Sequence, residues 1–288
     1  MVFHSAWRIN MKRILLRIAY DGTAYCGWQK QPNGPSVEEA VNRAIKELTG
    51  EDTAVVGASR TDSGVHAEGN VAVFDTDSQI PADKFSFALN QRLPSDIAVQ
   101  ESFEVAGSFH PRHAECIKTY EYRILNGPQP NPLWSRYSYH FHHVLDTGLM
   151  NEAAQYLIGE HDFAAFCSQG AQVKSTVRTI YSAMVTEREL FDSQSPVSPE
   201  DCKAMDITCV PGIPAKNTPK IITVRLQGNG FLYNMVRIIA GTLLQAGQGF
   251  FEPAHMQEII LSGDRTEAGP TAPPQGLTLK EIRYKDFI

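Results

Sequence analysis

The sequence has no apolar run that approaches the length of a transmembrane helix, which needs about 20 consecutive apolar residues. The N-terminus lacks the basic segment and the apolar core of a signal peptide, so we expect none. The five cysteines are scattered and include no C-x-x-C pair, which disfavours zinc and redox motifs. Reduced thiols are typical of a cytoplasmic protein, and we expect no membrane attachment.

The formal net charge of −6 argues mildly against a nucleic-acid partner. Residues 187–206, however, contain six acidic and two basic residues, so this segment alone contributes −4. The segment is also rich in serine and proline, which is typical of a solvated loop insert. The rest of the chain is therefore close to neutral and can hold a basic groove.

The clearest local pattern in the first half is a helix that begins after Ser36. Ser36 and Glu39 have the spacing of a capping box, apolar residues recur behind them at helical spacing, and Gly50 ends the run. Around it we predict strands at 12–20, 53–56, 70–74 and 97–105, and a second helix between Pro81 and Pro94. The order β-α-β-β-α-β is that of a ferredoxin-like unit.

The second half repeats this order around longer loops. We predict strands at 117–125, 177–186, 221–227 and 277–284, a helix that Asp146 caps and Gly159 closes, a helix from Met235, and a short helix from Pro253 to Gly263. The interpretation is a leader at 1–11, one α/β half at 12–112 and another at 113–288, with an acidic insert at about 187–217. A cleft between two such halves is a natural place for a site.

The loop from Ser59 to Ala67 carries the most chemistry. It lies between two predicted strands and contains Arg60 and Asp62, where a rigid scaffold can present catalytic groups. We expect the positive charge of Arg60 to lower the pKa of Asp62 and to fix its position. This arrangement suits a nucleophile or a general base, and it equally suits a structural ion pair in a tight turn.

Other polar and aromatic patterns have two interpretations each. Tyr120 and Tyr122 share one face of a strand and either stack on a base or pack in the core. Trp28, in a polar loop beside Lys30, either contacts RNA or packs at a hinge. His140 resembles a metal ligand together with its neighbouring histidines, but no carboxylate or thiolate stands at ligand spacing, so we expect no metal.

Two further patterns point to other enzyme classes. Gly228 and Gly230 lie between a strand and a helix, as in a dinucleotide-binding loop, but Tyr233 occupies the third glycine position. A tight turn that places Arg237 on the first turns of the helix is the better interpretation. Cys167 lies near His161 in the sequence, but nothing indicates an activated thiol.

Five motifs follow one another from the first strand to the last. They are Tyr20-Asp-Gly-Thr-x-Tyr-x-Gly-Trp-Gln, Arg60-Thr-Asp-Ser-Gly-Val-His-Ala, Lys118-Thr-Tyr-Glu-Tyr, Gly228-Asn-Gly-Phe-Leu-Tyr-Asn-Met-Val-Arg and Ala268-Gly-Pro-Thr-Ala-Pro-Pro-Gln-Gly-Leu. By these motifs nearly the whole sequence resembles the TruA-type tRNA pseudouridine synthases. Several long motifs in one order are far more specific than any one of them.

The resemblance implies a role for each matching residue. Asp62 corresponds to the catalytic aspartate of the family, and Arg60 and Arg237 correspond to basic residues that pair with it or orient it. Tyr120 corresponds to the tyrosine that stacks on the target uracil and helps to remove its proton. Leu277 corresponds to the apolar residue on the other side of the base. Ser59 departs from the family pattern, which often has glycine there.

The resemblance also implies a fold and a reaction. The expected fold is α+β, with two ferredoxin-like or RRM-like halves joined into one extended, mainly antiparallel sheet with helices on one face. The expected enzyme is a homodimer that uses no cofactor and no metal and isomerises uridines 38, 39 and 40 of the tRNA anticodon stem-loop. A non-catalytic RNA-binding protein with RRM-like halves is the main rival, and a nicotinamide-dependent enzyme is a more distant one.

Overall fold

The computed structural model describes residues 11–170, 173–190 and 219–285. Residues 1–10 of the predicted leader and most of the predicted insert lie outside these residues. The described strands are β1 (Lys12–Tyr20), β2 (Val56–Gly57), β3 (His66–Thr76), β4 (Ile97–Val105), β5 (Cys116–Asn126), β6 (Tyr139–Phe141), β7 (Gly159–Asp162), β8 (Val177–Glu189), β9 (Lys220–Gly228) and β10 (Leu277–Tyr284). The described helices are α1 (Val37–Thr49), α2 (Phe85–Asn90), α3 (Thr147–Gln155), α4 (Met235–Gly247) and α5 (His255–Ser262).

All ten described strands belong to one sheet, in the order β4-β1-β3-β10-β5-β9-β8-β7, with β2 paired to β3 and β6 to β5. The pairs are antiparallel except β3–β10 and β5–β6. The first half has the predicted order β-α-β-β-α-β, although β2 is only two residues long. The predicted α+β fold with one large, mainly antiparallel sheet is confirmed, and the division at residues 112 and 113 stays a prediction.

The last strand joins the two halves of the chain. β10 pairs with β3 in parallel through His66↔Thr278 and Ala67↔Leu279, and with β5 along most of its length. The C-terminal strand therefore lies at the junction, next to the start of β3. This topology brings the loop that precedes His66 close to residues from the end of the sequence.

Helix α1 follows the predicted capping pattern. The Ser36 hydroxyl accepts a hydrogen bond from the Glu39 backbone N–H at 3.3 Å and donates to the Glu39 carboxylate at 3.1 Å. Gly50 ends the helix with a φ of 76°, a conformation that glycine adopts without steric cost. The buried face includes Val41 and Ile45, both without exposed surface, so apolar packing holds the helix in the core.

The predicted end of α3 is wrong. The helix ends at Gln155, and the next residues form tighter turns in which the N–H of Leu157 donates to Ala154 and that of Ile158 donates to Gln155. Gly159, with a φ of 119°, then turns the chain into β7. The apolar periodicity extends through the turns because Leu157 is buried, although Ile158 is 40% exposed.

Helix α4 and the segment before β10 are packed backbone to backbone. A methyl group at Gly241 would lie 1.8 Å from the carbonyl oxygen of Pro270, so only glycine permits this approach. The backbone N–H of Gly269 donates to the Thr242 hydroxyl at 2.9 Å. Since Arg237 lies in the first turn of α4, this packing fixes its distance from the start of β10.

Candidate active site

A cavity of about 820 Å³ opens between the two halves. It is lined by the 58–62 segment from the first half, by Lys118 and Tyr120 on β5, by residues 231–236 before and at the start of α4, and by Leu277 at the start of β10. The structure thus brings together Arg60, Asp62, Tyr120 and Leu277, which the sequence separates by more than 200 positions. A cavity of this size accommodates a nucleotide-sized ligand.

The carboxylate of Asp62, which lines this cavity, pairs with Arg237, which lies behind the lining residues. Arg237 Nη1 lies 3.4 Å from Asp62 Oδ2 and also donates to Asn234 Oδ1 at 2.7 Å, while Nε donates to the Ala272 carbonyl at 2.8 Å. The Asp62 side chain is 23% exposed. Burial raises its pKa, and the charge and hydrogen bond of Arg237 oppose that rise. Asp62 is therefore a partly desolvated carboxylate with one adjacent cation.

The expectation that Arg60 lowers the pKa of Asp62 is wrong. Arg60 is exposed and lines the cavity, but among the described residues it forms no hydrogen bond or ion pair with Asp62. Between them, Thr61 is buried and its hydroxyl lies 2.8 Å from the Tyr20 hydroxyl. The loop thus separates two neighbouring charges, and the pKa of Asp62 rises because burial is the largest effect on it.

Backbone hydrogen bonds hold the Asp62 loop on the segment that follows β1. The N–H of Trp28 donates to the Thr61 carbonyl at 3.1 Å. The Tyr25 carbonyl accepts from the Gly64 N–H at 3.2 Å and from the Ser63 hydroxyl at 3.3 Å. The first two sequence motifs are therefore one structural unit, in which residues 20–29 support residues 61–65.

Two glycines of the supporting segment are required by this close contact. A methyl group at Gly27 would lie 2.5 Å from the Thr61 carbonyl oxygen, and one at Gly22 would lie 2.0 Å from the Val65 carbonyl oxygen. Gly27 also has a φ of 96°, which other residues rarely adopt. Larger side chains at either position would displace the loop that carries Asp62.

Tyr120 is buried against the cavity wall. Its hydroxyl lies 3.0 Å from Ser59 Oγ, and its ring meets that of Phe231 edge to face at 5.1 Å. Burial raises the pKa of Tyr120 to about 12; the Ser59 hydrogen bond opposes the rise and the negative charge of Asp62 adds to it. Tyr120 is therefore protonated near neutral pH. Ser59 accordingly contributes a hydroxyl contact that glycine at this position cannot supply.

Tyr122 and Leu277 lie in different environments. Tyr122 has no exposed surface, and its hydroxyl donates to the Pro273 carbonyl at 2.8 Å, so the core interpretation of Tyr122 is correct. Leu277 is opposite Tyr122 in the β5–β10 pairing, and its side chain lines the cavity. The cavity thus has an aromatic wall at Tyr120 and an aliphatic one at Leu277. Their contact with a base stays a prediction.

The sequence-based expectation that Trp28 binds substrate is wrong. Trp28 is 1% exposed, lies 6.1 Å from the Tyr20 ring, and fills space that a methyl group at Gly57 would need. A buried indole cannot stack on RNA, so Trp28 has the packing role. Lys30 is outside the cavity, with its Nζ 3.3 Å from Glu39, and a contact of Lys30 with RNA stays a prediction.

Asn234 lines the cavity, although the sequence did not single it out. It precedes α4 in a left-handed conformation with a φ of 60°, and its amide Nδ2 donates to Ser168 Oγ at 3.0 Å. Its Oδ1 accepts from Arg237, so it orients the cation beside Asp62. An asparagine directly before an apolar helix is the available sequence signal, because this residue tolerates left-handed backbone and helix termini.

Two more cations line the cavity beside Arg60. Lys118 Nζ donates to the Ala58 carbonyl at 3.1 Å, and Arg112 Nε donates to the Gly57 carbonyl at 2.8 Å. Burial lowers the pKa of Lys118. Among the described lining residues Asp62 is the one carboxylate. The cavity is therefore locally basic although the chain is acidic, and the backbone carbonyls fix two of its cations.

The described residues contain no group of three or more His, Cys, Asp or Glu side chains placed to hold a metal ion. His140 instead has Nε2 at 2.8 Å from the Gly127 carbonyl oxygen. No described helix is long and apolar enough to cross a membrane.

Comparison with known proteins finds one family over most of the chain. A sequence profile described as tRNA pseudouridine synthase matches residues 17–113 and 153–285. The chain is 44% identical over 274 residues to proteins named tRNA pseudouridine synthase A from Ruminiclostridium cellulolyticum, Caldicellulosiruptor saccharolyticus and Acetivibrio thermocellus. Each alignment covers 95% of this chain and 100% of the relative.

Proposed function

The chain belongs to the tRNA pseudouridine synthase family and is an isomerase, and we propose that it acts on uridines 38, 39 and 40 of the tRNA anticodon stem-loop with Asp62 as nucleophile. The observation that carries this proposal is that Asp62, paired with Arg237, lines a basic cavity between an aromatic and an aliphatic wall. The family resemblance and the names of the relatives support tRNA as the substrate.

The reaction exchanges one bond of the ribose for another. The C1′–N1 glycosidic bond breaks, the uracil rotates, a C1′–C5 bond forms, and the hydrogen at C5 is released while N1 gains a proton. A stacked nucleotide cannot undergo this exchange in place, so the uridine must leave the stem-loop and enter the cavity. A covalent adduct with Asp62, at C6 of the ring or at C1′ of the ribose, would divide the exchange into two easier steps.

The surroundings of Asp62 suit a nucleophile. Partial burial removes water from the carboxylate and raises its pKa, which makes the ionised form more basic. Arg237 opposes that rise and favours the ionised form. Because Arg237 is anchored by Asn234 and Ala272, its charge does not depend on Asp62 for its position, and it can stabilise negative charge that develops during the reaction.

Tyr120 and Leu277 would hold the flipped base. They lie on the neighbouring strands β5 and β10, so a flat ring between them would contact an aromatic face and an aliphatic side chain. Since the pKa of Tyr120 is about 12, its hydroxyl is a hydrogen-bond donor in the resting enzyme. To remove the C5 proton it must first lose its own, and Ser59 Oγ at 3.0 Å is the described partner on that path.

The three cations around Asp62 support a polyanionic substrate. Arg60, Arg112 and Lys118 have no carboxylate partner among the described residues, so phosphates of the stem-loop would supply the missing negative charge. Recognition by phosphate positions and RNA shape is typical of proteins that bind structured RNA. Homodimer formation and a cytoplasmic location remain predictions from the family resemblance.

The test is tritium release from tRNA labelled at uridine C5. Each pseudouridine formed releases one C5 hydrogen, so we expect release by the wild-type protein and none by Asp62→Asn, which keeps the shape of the side chain. Asp75→Asn is the matched control, because Asp75 also pairs with an arginine, Arg13 at 2.7 Å, but lies outside the cavity. Substitution of the tRNA uridines one at a time identifies the positions that react.

Three outcomes would contradict different parts of the proposal: the nucleophile, the activity and the modified position. Substantial release by Asp62→Asn would remove Asp62 as the nucleophile. No release by the wild-type protein, with tRNA still bound, would favour the non-catalytic RNA-binding alternative. Release that persists when uridines 38, 39 and 40 are all replaced would place the modified position elsewhere in the tRNA.

A further inference from the structure

A buried histidine lies directly behind the Asp62 loop. His66, the first residue of β3, is 3% exposed. Its Nδ1 accepts a hydrogen bond from the Gly22 backbone N–H at 3.1 Å. An accepting ring nitrogen carries no proton, so the neutral ring holds its proton on Nε2. Nε2 forms no hydrogen bond of ordinary geometry among the described residues, but the backbone of Arg136 and Gln275 interacts with the ring.

Charged groups from both halves of the chain face this ring. Asp21 Oδ1 lies 3.2 Å from His66 Nδ1. Tyr137, which precedes β6, donates its hydroxyl to Asp21 Oδ2 at 2.9 Å, and its ring lies 5.1 Å from that of His66. Arg136 Nη1 is 3.9 Å from Asp21 Oδ2. His66 therefore lies where a turn of the first half meets a loop of the second.

The turn that binds His66 also supports the loop of Asp62. Gly22 donates to His66 and lies against the Val65 carbonyl with no room for a methyl group. Val65 in turn donates its N–H to the carbonyl of Asp62 at 3.1 Å. These contacts connect Gly22 to Asp62 through Val65.

We propose that neutral His66 is a positioning residue that holds the Asp62 loop through the N–H of Gly22, and that protonation of Nδ1 releases this contact. This inference rests on the proposed function, because it concerns the placement of the same nucleophile. A protonated Nδ1 can no longer accept from Gly22. It would donate to Asp21 instead and leave the Gly22 N–H without its partner.

The direction of the pH dependence follows from the surroundings of the ring. Burial lowers the pKa of His66, and the charge of Asp21 opposes that shift. The ring is therefore neutral at pH 7 and becomes charged at lower pH. Activity should be complete above the pKa of His66 and should fall as the pH decreases through it.

Two substitutions at His66 distinguish the effect of the hydrogen-bond acceptor from the effect of the aromatic ring. In His66→Asn, Oδ1 takes the place of Nδ1 and can still accept from Gly22, but it does not titrate. For His66→Asn we expect near wild-type kcat at neutral pH. The acid limb of its kcat profile should lie at lower pH than that of the wild-type protein. His66→Phe keeps a ring beside Tyr137 and removes the acceptor, so kcat should fall about 10- to 100-fold with little change in KM for tRNA.

A second readout does not depend on catalysis. Hydrogen exchange of the peptide that contains residues 59–65, corrected for the intrinsic effect of pH, should increase on acidification in the wild-type protein. It should be high at every pH in His66→Phe and independent of this titration in His66→Asn. If the wild-type protein releases no tritium, the proposed function fails, while the exchange measurement still tests the contact between His66 and Gly22.

Several results would overturn the inference. An unchanged acid limb in His66→Asn would assign that limb to another group, Asp62 being the first candidate. His66→Phe with a lower thermal midpoint but unchanged kcat and unchanged loop exchange would show a purely structural role. Equal loop exchange in all three proteins would show that His66 does not hold the loop.

Discussion

Arg237 and Asp62 meet across the junction of the two halves, 175 positions apart in the chain, with Nη1 3.4 Å from the carboxylate oxygen. The two partners differ in how firmly they are held. Arg237 also donates hydrogen bonds to Asn234 and to the Ala272 carbonyl, at 2.7 and 2.8 Å. The carboxylate, by contrast, has Arg237 as its one described side-chain partner. A firmly held cation beside a loosely held carboxylate leaves the carboxylate able to approach a substrate.

Removal of Arg237 should change the pH dependence of turnover. In Arg237→Ala, burial acts on Asp62 without an opposing charge, so the pKa of Asp62 rises further. Because the ionised form is the proposed nucleophile, the acid limb of kcat should move to higher pH when Arg237→Ala is made in the His66→Asn background, where the titration of His66 is absent. The rate at neutral pH should fall about 100-fold or more, as expected when a group that stabilises developing charge is removed. The measurement is the pH profile of tritium release.

Arg265→Ala is the matched control for this change. Arg265 donates to the Ala268 and Gly269 carbonyls of the neighbouring segment at 3.2 and 3.0 Å but has no contact with Asp62. Its removal should leave the acid limb in place. An acid limb that stays unchanged when Arg237→Ala is added to His66→Asn would contradict the role given to the pair.

The Tyr120 hydroxyl should act in the removal of the C5 proton and not in the binding of the base. Tyr120→Phe keeps the ring against Phe231 and removes the hydrogen bond to Ser59. If the hydroxyl helps to remove the C5 proton, kcat should fall about 100-fold, and a hydrogen isotope effect at C5 should appear because that step becomes rate-limiting. KM for tRNA should change little.

Ser59→Ala provides the comparison. It leaves the Tyr120 hydroxyl in place without its described partner, so it should produce a smaller decrease in the rate of the same step. A Tyr120→Phe enzyme with nearly wild-type kcat and no isotope effect would restrict Tyr120 to stacking.

The three cavity cations should determine how strongly salt weakens tRNA binding. Removing a cation that neutralises one phosphate reduces the slope of log K against log salt by about one. Lys118→Gln and Arg112→Gln keep a side-chain donor for the Ala58 and Gly57 carbonyls and remove the charge. Each should therefore weaken binding and lower the slope by about one, while the fold is retained.

Lys46→Gln is the control for a cation outside the cavity. Lys46 is exposed on α1, where it pairs with Asp52 at 3.3 Å. Its removal should leave the slope unchanged. Equal slopes for the wild-type protein, Lys118→Gln and Arg112→Gln would mean that these cations do not bind phosphates.

Local patterns in the sequence predicted the helices and strands better than they predicted which residues meet in the candidate site. Helix α1 was predictable because its cap, its apolar face and its glycine end all lie within fifteen residues. The partner of Asp62 was not, because the cation next to it in the sequence, Arg60, is exposed, whereas Arg237 reaches it only through the β3–β10 junction. The family resemblance named both arginines but could not say which one touches the carboxylate.

Trp28 illustrates the same limit for aromatic residues. Its polar neighbours suggested a surface loop, yet the indole is buried because Gly57 leaves space for it. The sequence contains both residues but not their contact, which spans two separate loops. Burial of this kind follows from tertiary packing and has no periodic signal.

Two substitutions of Asn234 should differ in their effect on stability but not in their effect on activity. Its left-handed backbone, with a φ of 60°, costs a residue that has a Cβ about 1 kcal/mol or more, and glycine avoids that cost. Asn234→Ala should therefore be less stable than Asn234→Gly by about 1 kcal/mol in urea unfolding. Both variants remove the Oδ1 acceptor of Arg237, so both should lower kcat to a similar extent. If Asn234→Gly were instead fully active, the backbone turn alone would orient Arg237, and the amide hydrogen bond would be dispensable.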